Sequence, residues 1–256
     1  MCIRDRDRVV HTALVLLLTP TLTRPLRPEA MACRPGLGAH RAVLSLLRLM
    51  RRHRHVLHLD IRAYFPSVDH DILRGLLAHR VHDRPFLDVM DRVLETDRGL
   101  YDRPEARAWA GLTPDWPPPG RGLPIGAATS QALAAHLYLN DLDHHVKRVL
   151  RAPGYVRYVD DLFLFADTRG ALRQARAAIG EWLQRERGLR LKHPLAPILS
   201  CAGHLDGLGY RVTRAGLTVR PRALRRLTRR ARLHLAGRPG PSLARSFASS
   251  AGVVLF

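Results

Sequence analysis

The sequence predicts an α+β domain in which an antiparallel sheet carries helices on one face. Three observations lead there. Short apolar runs rich in β-branched and aromatic residues, at 56–61, 155–159 and 162–165, alternate with longer stretches of helical periodicity at 70–77, 85–97, 129–150 and 170–187. The second and third runs are separated only by Asp160-Asp161, which leaves room for little but a hairpin. A chain of 256 residues, 46 % of them apolar, can bury a large core, so a disordered or collagen-like chain is excluded.

Residues 7–19 and 40–50 read as helices joined by a breaker-rich stretch containing Pro25, Pro28, Pro35 and Gly36. A strand over 56–61 must stop at Tyr64-Phe65-Pro66, because proline cannot continue a ladder. Ser67 or Asp69 then caps a helix that repeats Ile72, Leu73, Leu76 and Leu77 at helical spacing. The next helix, 85–97, places Phe86, Leu87, Met90, Val93 and Leu94 on one face. Residues 111–126 hold Pro114, Pro117, Pro118, Pro119 and Pro124 and must be largely irregular. A long helix over 129–150 leads into the hairpin. After it come a helix over 170–187, a short strand near 189–191, a hairpin over 207–220 turning at Ala215-Gly216, and a basic helix over 221–235. No repeat of fixed period is visible.

The charge narrows the partners. Lys+Arg number 42 against 22 Asp+Glu, a net +20, and only Lys147 and Lys192 are lysines. Such a surplus points to a polyanion, since every phosphate neutralised releases condensed counterion. Cys2, Cys33 and Cys201 form no C-x-x-C pair, so neither a disulfide framework nor a zinc site is indicated and a reducing cytoplasm is expected. The apolar run at 13–18 is far short of the roughly 20 residues that cross a bilayer, so no membrane association is expected.

In so basic a chain the acids are informative. Asp60 ends an apolar strand, and Asp160 and Asp161 stand at the tip of an apolar hairpin. If the two elements are sheet neighbours, three carboxylates converge, and crowded carboxylates raise one another's pKa unless cations neutralise them. Hard divalent ions such as Mg²⁺ do this while keeping sites for substrate phosphate. Taken alone, an Asp-Asp pair between strands is commonly a solvated turn. His53, His55 and His58 read as a solvated basic edge, because strand alternation sets His58 against the other two.

Tyr158-Val159-Asp160-Asp161 in the hairpin, with Leu59-Asp60-Ile61-Arg62-Ala63-Tyr64-Phe65-Pro66-Ser67-Val68-Asp69-His70 upstream, resembles the palm of a reverse transcriptase. Between them, Gly122-Leu123-Pro124-Ile125-Gly126-Ala127-Ala128-Thr129-Ser130-Gln131, running into Leu137-Tyr138-Leu139-Asn140, resembles the family's nucleotide- and template-contacting motif. Asp7-Arg8-Val9-Val10, and Ala32-Cys33-Arg34-Pro35-Gly36 with His40, are similar to fingers segments, and Gly207-Leu208-Gly209-Tyr210 to the primer-grip hairpin. The form Ile125-Gly126 with Ser130-Gln131 most resembles diversity-generating retroelements, whose enzymes err at adenines. Related group II intron and other bacterial reverse transcriptases also carry it.

The resemblance implies a right-hand polymerase with 1–55 as partial fingers, 56–84 and 129–220 as palm, 85–128 as insertion and loop, and 221–256 as the start of a thumb. It implies that Asp60, Asp160 and Asp161 are catalytic. Two Mg²⁺, with Mn²⁺ as substitute, would be held by Asp60, Asp160, Asp161 and the carbonyl of Ile61. Ala63, Tyr64, Phe65, Ile125, Gly126, Ser130 and Gln131 would contact the nucleotide, with Phe65 as a gate against a 2′-hydroxyl. Arg34, Tyr158, Gly209, Tyr210, Arg225 and Arg229 would contact primer and template. The implied partners are an RNA template, an RNA/DNA duplex, dNTPs and a small helical accessory protein. A catalytically weak RNA-binding palm is the alternative. It is motivated by two departures: basic fingers residues would have to lie before Asp7, and aliphatic residues stand where a lysine that protonates pyrophosphate is expected, with Lys192 and His193 beside them. Gly207 also replaces a large apolar residue, and the ending Val253-Val254-Leu255-Phe256 is abrupt for a thumb, so a fragment is expected.

Overall fold

The computed structural model describes residues 5–235. The expectations placed on Met1–Arg6 fall almost entirely, and those on 236–256 wholly, outside the described residues. The main sheet has the order β2-β3-β1-β4, with β1 (His55–Asp60), β2 (Gly154–Tyr158), β3 (Asp161–Ala166) and β4 (Ile198–Ser200) antiparallel throughout. The β2–β3 hairpin keeps the expected two-residue turn but is shifted by one residue relative to expectation. Tyr158 pairs with Asp161, so the turn is Val159-Asp160 and Asp161 is already strand. Val159 takes φ 57°, a left-handed conformation that is costly for a β-branched side chain.

The fourth strand also differs from expectation. Residues 189–191 make only a lone bridge, Ile61 with Leu191, and the ladder resumes at β4. Arg62 N–H donates to Arg190 O and Lys192 N–H to Asp60 O, each at 2.8 Å. Pro194 and Pro197, which have no N–H, lie between that bridge and β4.

Strand alternation divides the core in two. Leu57, Leu59, Leu162 and Leu164 share one core with α1 (Asp5–Thr23), α4 (His70–Ala78) and α9 (Arg169–Arg187), of which α9 packs on β1 and β3. Val56, Val156, Phe163 and Phe165 face the opposite way, against Ala42, Val43, Leu46 and Met50 of α2 (Ala39–Arg52) and against Leu205, Tyr210 and Val212. The second face is therefore half covered, by one helix and a small sheet. Its Asp60–Asp161 end is left open, with all three aspartates partly exposed.

That small sheet has three strands, β5 (Leu205–Gly207), β6 (Tyr210–Val212) and β7 (Leu217–Val219), one more than the predicted hairpin. Gly207 lies against the main sheet, where a Cβ would come within 2.9 Å of the Phe163 ring. Phe163 thus fills the space that a larger residue at 207 would need.

Asp69, rather than Ser67, caps α4, accepting from the N–H groups of Asp71 and Ile72 at 3.0 and 3.2 Å. Ser67 instead closes the short turn α3 (Tyr64–Ser67). Helix α5 (Arg84–Asp97) follows as expected, and then α6 (Pro104–Trp109), which was not anticipated. The long helix expected over 129–150 is interrupted at Leu139, whose φ of −109° and ψ of 7° are not helical, and it changes pitch on both sides of that residue. It runs as α7 (Ala128–Ala132), a π-helical stretch Leu133–Tyr138, α8 (Asn140–His144) and a second π stretch His145–Val149. The basic helix α10 (Pro221–Leu235) closes the described chain. Among the described residues no helix is long and apolar enough to cross a membrane.

Candidate active site

The antiparallel register brings the predicted carboxylates together. Asp60, last in β1, is the cross-strand partner of Asp161, first in β3, and Asp160 occupies the turn beside them. Burial pushes the Asp160 carboxyl up to about 6, and the charges of Asp161 and Asp60 add to the shift. Two cationic or imidazole side chains engage the outer pair. Lys192 Nζ donates to Asp60 Oδ2 at 3.1 Å, and His58 Nε2 to Asp161 Oδ1 at 2.6 Å. His58 is fixed from below by the Phe163 ring, stacked at 4.4 Å and 13°.

These residues fit a hard divalent cation in kind: three carboxylates share one field, and one of them resists ionising in the absence of added positive charge. Among the described residues no three His, Cys, Asp or Glu side chains are already gathered around one point. The carbonyl of Ile61 is passed over by the two hydrogen bonds that flank its bridge to Leu191.

The middle motif docks directly on the segment after Asp60. Gly122 N–H donates to Val68 O at 2.9 Å, Leu123 N–H to Phe65 O at 2.8 Å, and His70 Nε2 to Gly122 O at 2.7 Å. Gly122, at φ +110°, approaches so closely that a Cβ would meet the Tyr101 ring at 2.4 Å. Ala63 turns the chain with φ 48° and caps the short turn α3. Phe65 is half-buried and meets Tyr64 edge-on at 5.7 Å.

Several expected contacts take another form. Tyr64, Ser130 and Tyr210 are only 1–2 % exposed, so their side chains serve the interior and not an open surface. The Tyr64 hydroxyl donates to Ala134 O at 2.8 Å, and the Tyr210 ring belongs to the second core. Arg34 donates through Nη1 to Arg27 O and Ala30 O at 3.0 and 2.9 Å, folding its own loop. Ile125 stands at the surface. It is 51 % exposed and lines an apolar cavity of about 320 Å³ with Tyr101, Trp109 and Pro124. Gly126 and Gln131 are exposed, Tyr158 is partly exposed, Gly209 forms the β5–β6 turn at φ 90°, and Arg225 and Arg229 are exposed on α10.

Three features were missed by sequence reasoning. His58 reaches Asp161, and Lys192, named in the sequence only as standing beside the expected lysine position, pairs with Asp60. The third, Arg157, is fully buried in an ion pair with Asp143. An arginine inside the apolar run Tyr155-Val156-Arg157-Tyr158 was the available signal, since a charge on a buried strand needs a partner.

The reverse transcriptase (RNA-dependent DNA polymerase) family profile matches residues 1–194, a span that holds all three aspartates, the 122–131 motif and Lys192. The chain belongs to the reverse transcriptase family. The match ends before β4, so β4, the three-stranded sheet and α10 lie beyond it. This reverse transcriptase-family chain is 29 % identical over 186 residues to the retron Mx65 reverse transcriptase of Myxococcus xanthus, covering 72 % of the present chain and 40 % of the relative. It is 25 % identical over 149 residues to protein YkfC of Escherichia coli, covering 55 % and 35 % of the two chains. A 91 kDa protein in the cob intron of Schizosaccharomyces pombe is also 25 % identical over 149 residues, 56 % of this chain and 16 % of that one. The chain thus spans well under half the length of each.

Proposed function

We propose that this chain is the polymerising core of an RNA-directed DNA polymerase, extending a primer with dNTPs on an RNA template in the cytoplasm. The observation that carries the reading is the register: Asp60 opposite Asp161 with Asp160 in the two-residue turn between strands. Asp60, Asp160 and the Ile61 carbonyl would hold two Mg²⁺, or Mn²⁺, with Asp161 in support. When bound, these ions acidify the primer 3′-hydroxyl and offset the charge of the triphosphate.

The remaining work falls to the chain itself. Phe65, fixed by the Leu123 N–H bond to its carbonyl, presents a ring where a ribose 2′-hydroxyl would collide. The exposed Gly126 leaves backbone open to the nucleotide, with Ala63 and the exposed face of Gln131 beside it. Lys192, at Asp60, carries the proton that departing pyrophosphate needs. We assign primer and template contacts to Tyr158, the Gly209 turn and the exposed arginines of α10. Residues 1–55 serve as fingers, 56–84 and 129–220 as palm, and 221 onward as thumb.

The finer reading is a diversity-generating retroelement enzyme with a small helical accessory protein. It is supported by Ile125-Gly126 with Ser130-Gln131 and by the exposure of Ile125 at the motif's surface. A retron or intron type is the second reading, favoured by the 29 % identity to the retron enzyme. Errors concentrated at template adenines in its cDNA separate the first from the second. Primer extension on poly(rA)/oligo(dT) tests both. Mg²⁺-dependent product is expected, and its loss in Asp160→Ala; product unchanged by that substitution overturns the reading in favour of a palm that only binds RNA.

A further inference from the structure

The catalytic turn rests on a buried arginine whose contacts extend well beyond an ion pair. Arg157 is 1 % exposed and lies one residue before Tyr158, on the face of β2 opposite the aspartates. Its Nε and Nη2 donate to the two carboxylate oxygens of Asp143 at 2.7 and 2.6 Å, a fork-on-fork pair that fixes the guanidinium plane. Tyr155 Oη donates to the same carboxylate at 2.8 Å. With its plane fixed, Nη1 donates in two directions: to Ala135 O at 3.0 Å and to Val159 O at 3.2 Å. Val159 is the left-handed residue of the turn, and Asp160 follows it.

Ala135 belongs to the π-helical stretch Leu133–Tyr138. A π stretch loosens the regular carbonyl ladder and leaves side chains room to bond into it. The preceding carbonyl, Ala134 O, accepts from Tyr64 Oη at 2.8 Å, and Tyr64 stands in the segment that carries Ala63 and Phe65. Two successive carbonyls of one widened turn thus reach both sides of the site.

We infer that the π stretch at Leu133–Tyr138 is a shared brace, and that Arg157 and Tyr64 are positioning residues. Arg157 holds the strained Val159-Asp160 turn from below, and Tyr64 holds the 61–67 segment at a fixed distance from it. Stability alone is a poor account of the arginine, because a buried ion pair gains little over apolar residues of like volume. Its four directed bonds supply geometry, and the site depends on geometry: a displacement of about 1 Å in a reacting group costs on the order of 100-fold in rate.

The inference deepens the polymerase reading, so its test has one readout that needs polymerisation and one that does not. Arg157→Lys keeps the charge opposite Asp143 and removes the Nη1 group that spans Ala135 and Val159. Amide exchange in the metal-free protein is expected to speed up in the peptide covering Val159–Asp161 and to stay unchanged in α9. The single-turnover rate per titrated active site is expected to fall about 10- to 100-fold with dNTP KM within about twofold. Tyr64→Phe removes one hydroxyl from the other side; faster exchange at 61–67 and a smaller rate loss with KM unchanged are expected. This milder variant carries the test should Arg157→Lys not fold. Exchange at both segments unchanged, or a loss confined to the fraction of active sites with the rate per site intact, overturns the brace. Inactive unsubstituted protein whose variants still show the exchange changes overturns the polymerase reading and supports the brace.

Discussion

Asp160 is where function and stability conflict most directly. Its carboxyl titrates at about 6 against an ordinary 3.8, first through burial and then through the charges of Asp161 and Asp60. A carboxyl whose folded-state pKa is raised contributes stability that is complete below the unfolded value and is lost as pH rises through the folded one. Ionised Asp160 therefore costs the metal-free fold about 2–3 kcal/mol above pH 7, at 1.36 kcal/mol per unit. Asp160→Asn is expected to match the parent's melting temperature in EDTA near pH 4 and to exceed it at pH 8, while losing polymerisation. An equal offset at both pH values would remove burial of the charge as the cause. The three aspartates were legible in the sequence because each ends or interrupts an apolar run. His58 was only half legible. Alternation set it apart from His53 and His55, and that same alternation puts it on the face of Asp60; its pairing with Asp161 and Phe163 needed the register of β1 on β3.

Among the elements, those with a clear period and a clear stop were read correctly, such as α5 and α9. The helix after residue 128 was read as uniform because Leu133, Ala134, Ala135, Leu137, Tyr138 and Leu139 are all buried and give no polar face to mark a change of pitch. The fourth strand was misplaced because Leu189 and Leu191 have a strand's composition, while the prolines that end their pairing come afterwards. The loop at 111–126, irregular as expected, owes its position to Gly122. Gly122→Ala would force a Cβ onto Tyr101 at a positive φ, and a loss of about 2–4 kcal/mol in chemical denaturation is expected. A loss below about 0.5 kcal/mol, the scale of an ordinary surface change, would mean that the docking of this loop does not depend on that approach.

At the scale of the molecule, the net +20 is distributed unevenly, and α10 concentrates it: Arg222, Arg225, Arg226, Arg229, Arg230 and Arg232 fall within 11 residues. For Arg225 and Arg229 on phosphate, each Ala substitution is expected to weaken duplex binding alike for all sequences and to lower the slope of log K against log salt by about 1. Titrations at several salt concentrations read this directly, and an unchanged slope would take these two arginines off the nucleic acid. The α+β class was legible from pattern alone, whereas the convergence of the carboxylates was legible only on condition that the two elements are sheet neighbours, which the register of β1 on β3 supplies. The second core was not, since nothing local in 39–52 or 205–219 says that they meet on one face of the sheet.

The two-residue turn has a consequence for how such a chain can change over generations. Side chains alternate along β2, so inserting or deleting a single residue within 155–158 would turn Arg157 and Tyr155 out of one core and Val156 out of the other. The spacing that sets Asp160 beside Asp60 is thus the spacing that keeps the interior filled. Drift in length is closed to this hairpin. A descendant could give up the chemistry proposed for it by exchanging one side chain for another at 60, 160 or 161 and still inherit an intact scaffold.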